Sequence, residues 1–365
     1  MDVRRLASAL LAMSAALWLA GCQQPDTGYN AKAEAPIPAE TMSLMSTKGM
    51  KAQDPILIRI FKEESQLEVW KKRESDGRYA LLKSYPICRW SGTLGPKVKT
   101  GDHQSPEGFY PITPAQMNPR SHYYLSFNTG FPNTFDRAHG RTGSDLMVHG
   151  DCLSAGCYAM TDGQMAEIYA LAREAFRGGQ KEFQVEAFPF HMTAENMARR
   201  RNDKNMAFWR DLKVGYDHFA VTREEPKVAV CGGRYVFDAV AREGERFEPD
   251  APCPAYTVAP AIASAVAAKE RADAQQFASL VKEGTPVAAA YVPQNGRLRR
   301  TLDEPIRVAM DPPVPPADAG AAVAAAFAPA KPAAAEPARA TAVLARNAVP
   351  MPAPSPTPHL AFAAA

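Results

Sequence analysis

His149, Cys152 and Cys157 fall within nine residues in the stretch LMVHGDCLSAGCYAMTDGQ, residues 146–164. These residue types support three chemistries. A structural zinc wants four ligands in pairs such as Cys-x2-Cys or His-x3-His; no such pair occurs here, and His139 as a fourth ligand would lie outside any such spacing. A Cys152–Cys157 disulfide would close a small loop and silence any thiol chemistry. The third reading makes Cys157 a nucleophile. A thiol attacks as thiolate, and His149 could take its proton in an ion pair that lowers the cysteine pKa. Cys157 lies just before a predicted helix, whose positive dipole end would favour the same charge. Gly156 lets the backbone turn sharply, so the amides of Gly156 and Cys157 could face a developing oxyanion. This reading gives every conspicuous residue a role except Cys152, which is left either packed beneath the loop or poised for a reversible, inactivating disulfide.

The elements that must position these residues are short strands. Ile56, Ile58 and Ile60 alternate with Leu57, Arg59 and Phe61, a Glu63-Glu64-Ser65-Gln66 break follows, and Leu67 and Val69 alternate again, which predicts a β-hairpin. RYALLKSYPI, EGFYPIT, YYLSF, LMVHG and KEFQVEAFPF predict further strands. One helix interrupts them: Thr161 and Gln164 form a capping box, Met165, Ile168, Ala172, Ala175 and Phe176 line one face, and Gly178-Gly179 stops it. Residues 193–213 look like another helix, and residues 216–250 could add a strand or two.

MVHG followed by SAGCYAM resembles the histidine strand and Ser/Thr-His-Gly-Cys motif of the L,D-transpeptidase catalytic domain, the YkuD-like fold. GDHQSPEGFYPI resembles the same family's TPxGxF segment through Ser105, Pro106, Gly108 and Phe109. The resemblance covers residues 55 to 190 and implies a mostly β domain, a β-sandwich with one helix after the catalytic cysteine. It makes Cys157 the nucleophile, His149 the base and the carbonyl of Gly150 the group that orients the imidazole, with no cofactor and no metal. The sequence departs from the pattern: Ala155 stands where the motif has histidine, Ala159 stands where many members have a substrate-contacting arginine, and the His149-to-Cys157 spacing is short. VHGDCLSAGCYAMTD is similar to the YafK-type branch of murein L,D-transpeptidases, which shares the short spacing and includes an amidase that detaches lipoprotein from peptidoglycan.

The chemistry implied is acyl transfer on meso-diaminopimelate in peptidoglycan stem peptides through a Cys157 thioester. An amine acceptor gives a crosslink or an attached outer-membrane lipoprotein; water gives an L,D-carboxypeptidase or amidase. Ser154 is expected to brace the loop at the substrate, Arg141 to bind a substrate carboxylate in place of the missing arginine, and Tyr158 to contact substrate. Tyr123, Tyr124 and Asn128 are pocket candidates, with core or turn roles favoured. A non-catalytic wall-associated or zinc-stabilised lipoprotein is the reading from a different class.

With 365 residues and 46% hydrophobic content the chain can hold two average domains. Much of that content is alanine in the last third among the prolines, and alanine buries too little area to drive packing. Residues 311–365 therefore read as a disordered Ala/Pro-rich tail, residues 255–310 as a partly helical linker, and residues 191–254 as a small α+β extension. The net charge of +3 argues against a nucleic-acid binder with a dominant basic face, and Arg199-Arg200-Arg201 reads as a solvated helix face. At the other end, Arg4 and Arg5 precede an apolar run too short to span a membrane, an export signal. Leu19-Ala20-Gly21-Cys22 resembles the bacterial lipobox, so residues 1–22 are expected to be a lipoprotein signal peptide, Cys22 the lipidated mature N-terminus and residues 23–54 a flexible tether. Gln23 after the cysteine resembles sorting to the outer membrane of Gram-negative cells, which would make the chain periplasmic and lipid-anchored. In that oxidising compartment the other five cysteines cannot all pair with one another, and Cys231 with Cys253 is the expected disulfide.

Overall fold

The computed structural model describes residues 29–289; Cys22 with its lipobox and the Ala/Pro-rich tail lie outside them. Part of the expected tether is folded. Two short helices, α1 (Tyr29–Ala33) and α2 (Ala39–Thr47), sit at the start of the described chain. Ala33, Ile37, Met45 and Met50 are buried in the main apolar cluster, and Arg173 donates to the carbonyls of Ala33 and Ala35. Composition concealed this segment because its few large apolar residues sit among Ala, Pro, Ser and Thr, while a handful of anchors is enough to hold a short segment onto a larger core.

The predicted hairpin forms. β1 (Ile56–Phe61) and β2 (Gln66–Lys72) pair antiparallel with Ile58 opposite Val69, and β3 (Tyr79–Pro86) adds to β2. β4 (Gly108–Ile112) and β9 (Phe183–Phe188) complete a five-stranded sheet of order β3-β2-β1-β9-β4. β9 runs parallel to β1 and is buried at every position, which is why its sequence lacks clean alternation. A second, four-stranded sheet has the order β5 (Met117–Asn118), β6 (Ser126–Asn128), β7 (Met147–His149), β8 (Tyr158–Ala159). One apolar cluster takes Ile58, Ile60 and Val185 from the first sheet, Phe127 and Val148 from the second, and Ile168 and Leu171 from a helix.

That helix lies where the capping box predicts. Before it comes a short α3 (Thr134–Ala138); α4 (Asp162–Arg177) then follows β8, with Thr161 accepting from the Gln164 N–H and Met165, Ile168, Ala172 and Ala175 all buried. The expectation of a mostly β domain with one helix gives way to mixed sheets with several helices: α3 lies within the domain itself, and the N-terminal segment adds two more whose few large apolar residues show no clear period.

The extension begins as two helices rather than the single one expected over 193–213. α5 (Ala194–Arg199) and α6 (Met206–Thr222) are separated by a turn through Asn202-Asp203-Lys204-Asn205, side chains that compete for backbone hydrogen bonds. β10 (Val228–Cys231) pairs with β11 (Arg234–Phe237), β12 (Ala239–Ala241) with β13 (Tyr256–Val258), and α7 (Pro260–Lys282) closes the described chain. Cys231 and Cys253 form the expected disulfide. The arginine run is not simply solvated: Arg200 is buried against Glu63, and Arg200 and Arg201 donate to the carbonyls of Ala289 and Thr285. The extension is tied to the sheets through Glu107, which accepts from Trp209 Nε1 and from buried Lys62, both at 2.9 Å.

Candidate active site

The register of β7 sets the site. Val148 lies opposite Tyr158 and His149 opposite Ala159 in the parallel pair. Alternation puts Met147 and His149 on one face of β7, and Cys157 enters β8 level with Met147, on the face of Ala159. The sulfur is where that register implies: it accepts the Met147 N–H at 3.4 Å and lies 3.6 Å from the Asp145 carbonyl. Cys157 and His149 are thus diagonal neighbours on adjoining strands.

His149 is buried, its ring centroid 4.7 Å from that of Tyr123. Its Nδ1 lies 2.5 Å from the Gly150 carbonyl, a contact that needs Nδ1 to carry the hydrogen and leaves Nε2 as the basic nitrogen. Gly150 itself tolerates no side chain: a Cβ would come within 2.6 Å of Asp162 Oδ1 and 2.9 Å of Tyr124 Cβ. Burial lowers the His149 pKa, partly offset by the Gly150 carbonyl and the Asp151 charge. Burial likewise pushes the Cys157 thiol up, Asp145 adds to this, and the Met147 N–H and Lys97 oppose it. Both shifts disfavour the ion pair expected from sequence. The helix dipole gives no help, because α4 starts at Asp162, with β8 between it and Cys157, and its effect fades within the first turn.

The loop joining the two residues is held at several points. Cys152 is bonded to Cys88, which removes both the Cys152–Cys157 switch and one ligand of the zinc reading. Cys157 is the free thiol among the described residues. Gly156 has φ +133°, a conformation costly for any residue with a Cβ. Ser154 donates to the Cys157 carbonyl at 2.7 Å and accepts the Gly156 N–H at 3.2 Å, and Ser105 donates to the same carbonyl at 3.2 Å. Ser154 thus braces the loop, and the Gly156 amide is already engaged. The Cys157 N–H, with no acceptor among the described residues, is the amide left to face an oxyanion.

Two expected substrate contacts belong elsewhere. Arg141 is buried, pairs with Asp136 at 2.8 Å and lies over the Phe135 and Phe208 rings, so its guanidinium is spent inside the fold. Tyr158 is fully buried, its hydroxyl donating to the Pro106 carbonyl at 2.5 Å; it alternates away from Cys157 into the core. Asn128 does line a cavity, a cleft of about 630 Å³ beside the thiol that also includes Asp145 and Met147. Sequence reasoning missed the roles of Ser105, Cys88 and Asp145. Ser105 lies in the SPEGF segment already singled out, whereas cysteine spacing alone cannot set connectivity.

A family model described as "L,D-transpeptidase catalytic domain" (YkuD) matches residues 55–182. The Escherichia coli (strain K12) protein named "Putative L,D-transpeptidase YafK" is 50% identical over 182 residues, which is 50% of this chain and 73% of that protein. The chain belongs to the L,D-transpeptidase family. The counterpart in Escherichia coli O157:H7 matches to the same extent. Among solved structures, the helical cell shape determining protein Pgp2 of Campylobacter jejuni is 18% identical, covering 52% of this chain and 79% of its own, with a TM-score of 0.31. Bd1075 of Bdellovibrio bacteriovorus is 17% identical over 48% of this chain and 77% of its own, with a TM-score of 0.27. Overlaps that weak establish nothing about this L,D-transpeptidase family member beyond what its own sequence match does.

Proposed function

We propose that the protein is a murein L,D-transpeptidase acting on diaminopimelate-containing stem peptides, with Cys157 as nucleophile and His149 as base. As the Cys157 sulfur attacks the carbonyl at the L-centre of diaminopimelate, its proton passes to Nε2 of His149 and the oxyanion meets the Cys157 N–H. The tetrahedral adduct then collapses; His149 returns the proton to the departing D-amino acid, leaving a thioester on Cys157. An amine attacking this thioester forms a new amide, water forms a carboxylic acid, and either restores the thiol. The observation that carries the reading is the arrangement around β7: a free sulfur anchored on Met147, two residues from an imidazole whose Nδ1 is tied to Gly150.

Burial disfavours the charged form of both groups, so in this reading proton transfer from Cys157 to His149 accompanies attack. Export with a lipid on Cys22, at the periplasmic face of the outer membrane, is part of the same proposal; two disulfides suit an oxidising compartment. Incubation of the full chain with muropeptides, followed by mass analysis, tests the activity. New crosslinks mean transpeptidation, and trimmed peptides or released lipoprotein mean hydrolysis. Unchanged muropeptides with every acceptor overturn the proposal.

A further inference from the structure

We propose that the cleft beside Cys157 is a subsite for the zwitterionic D-centre of diaminopimelate, Asp145 taking its ammonium and the side-chain amides of Asn118 and Asn128 its carboxylate. The inference rests on the reading of Cys157 as the nucleophile and specifies which part of the acyl donor is recognised. When the L-centre carbonyl sits at the sulfur, the D-centre lies at the far end of a short methylene spacer and must occupy whatever space adjoins the thiol. The cleft offers such space: Asp145 and Met147, the two residues whose backbone touches the sulfur, both line it. Phe131 and Met147 give it an apolar wall for the methylenes.

Its polar groups have the matching signs. Asn118 Oδ1 accepts the Arg120 N–H at 3.0 Å and Asn128 Oδ1 accepts the Gly130 N–H at 2.8 Å. With their oxygens turned to the backbone, both amides present their NH2 donors, which have no acceptor among the described residues. Among the described residues the cleft lining holds no Lys or Arg, so neutral amide donors are what it offers a carboxylate. Asp145 is exposed, holds a left-handed backbone (φ +58°), and its carboxylate is fixed by the Ser144 hydroxyl at 2.7 Å. An anion placed there works against the reaction, since Asp145 raises the pKa of the thiol it adjoins. An ammonium docked on Asp145 cancels that effect, so the substrate that fills the cleft also eases deprotonation of the nucleophile.

The test measures binding to full-length Cys157→Ala by calorimetry, using a diaminopimelate tetrapeptide, its D-centre N-acetyl derivative and its D-centre carboxamide. The native peptide is expected to bind at least ~10-fold tighter than either derivative, each having lost one charge that the cleft pairs. Adding Asp145→Asn should erase the penalty for acetylation and keep that for the carboxamide; Asn suits a left-handed position, so the fold tolerates it. Asn118→Ala with Asn128→Ala should do the reverse. Equal binding of all three peptides, binding by none, or variants that keep both penalties overturn the subsite. Acylation of the wild-type thiol by the same peptides is followed separately: acylation without discrimination sinks only the subsite, and discrimination without acylation sinks only the nucleophile assignment.

Discussion

The backbone N–H of Met147 donates to the sulfur of Cys157 at 3.4 Å, so the thiol is anchored to the strand that carries His149 two residues on. This anchor fixes position without forcing ionisation, because burial raises the thiol and lowers the imidazole. Without substrate, the rate of Cys157 alkylation by iodoacetamide should climb with pH and keep climbing beyond the ordinary cysteine range. A plateau reached near neutral pH would show a resting ion pair and contradict this electrostatic account.

Cys88 and Cys152 are joined across 64 residues, and their bridge pins the loop between His149 and Cys157 to the segment after β3. Closing a loop of that length is worth about 4 kcal/mol in the chain-entropy model. Cys88→Ala with Cys152→Ala should therefore lower the melting temperature and slow acylation while leaving Cys157 in place. Mapping without reductant should find the four cysteines 88, 152, 231 and 253 protected and Cys157 labelled. Labelling at Cys152 in the native protein would refute the pairing.

Lys62 and Glu107 are both fully buried, 2.9 Å apart, and Glu107 also holds Trp209 Nε1 and the Gly95 N–H. Removing the carboxylate strands a buried ammonium, so Glu107→Ala should cost about 3–5 kcal/mol in denaturant unfolding. Lys62→Met combined with Glu107→Leu should recover much of that loss. A single substitution costing under about 1 kcal/mol, the level of a surface pair, would mean the ion pair is not buried in solution.

His191 stacks on Phe61 at 3.6 Å between Glu64 and Glu68. Burial alone would pull its pKa down, but the two carboxylates outweigh burial and hold it at about 9. A folded pKa above the unfolded 6.5 contributes stability in full below pH 6.5, and that stability is lost as pH rises through about 9. Glu186, raised by burial to about 7, and Glu225, raised by burial to about 8, act with the same sign. The melting temperature should fall from pH 6 to about 8, above which Lys71, lowered by burial to about 8, acts with the opposite sign, and the fall should be less steep in His191→Gln. A flat profile for wild type would contradict this.

Periodicity made the β1–β2 hairpin and capped α4 legible, since each buries a face whose period survives in the sequence. The family was legible from one short stretch and its resemblance, and so was the clustering of His149, Gly150 and Cys157 around β7. What was not legible depends on residues brought together from afar. The partner of Cys152 is 64 residues away, Ser105 reaches the Cys157 carbonyl across 52, and Arg141 looks like a free loop cation until Asp136, Phe135 and Phe208 enclose it. Spacing also conveys proximity but not desolvation, and here desolvation is the largest influence on both His149 and Cys157 and opposes their ion pair.

In the proposed reaction Cys157 carries the acyl group and His149 its proton. Intact-mass analysis of the full chain incubated with a diaminopimelate tetrapeptide should show a thioester adduct that maps to Cys157. The adduct should be absent in Cys157→Ser and form roughly 100-fold or more slowly in His149→Ala, the range for loss of a general base. An adduct on another residue, or acylation of Cys157 at an unchanged rate without His149, would contradict it.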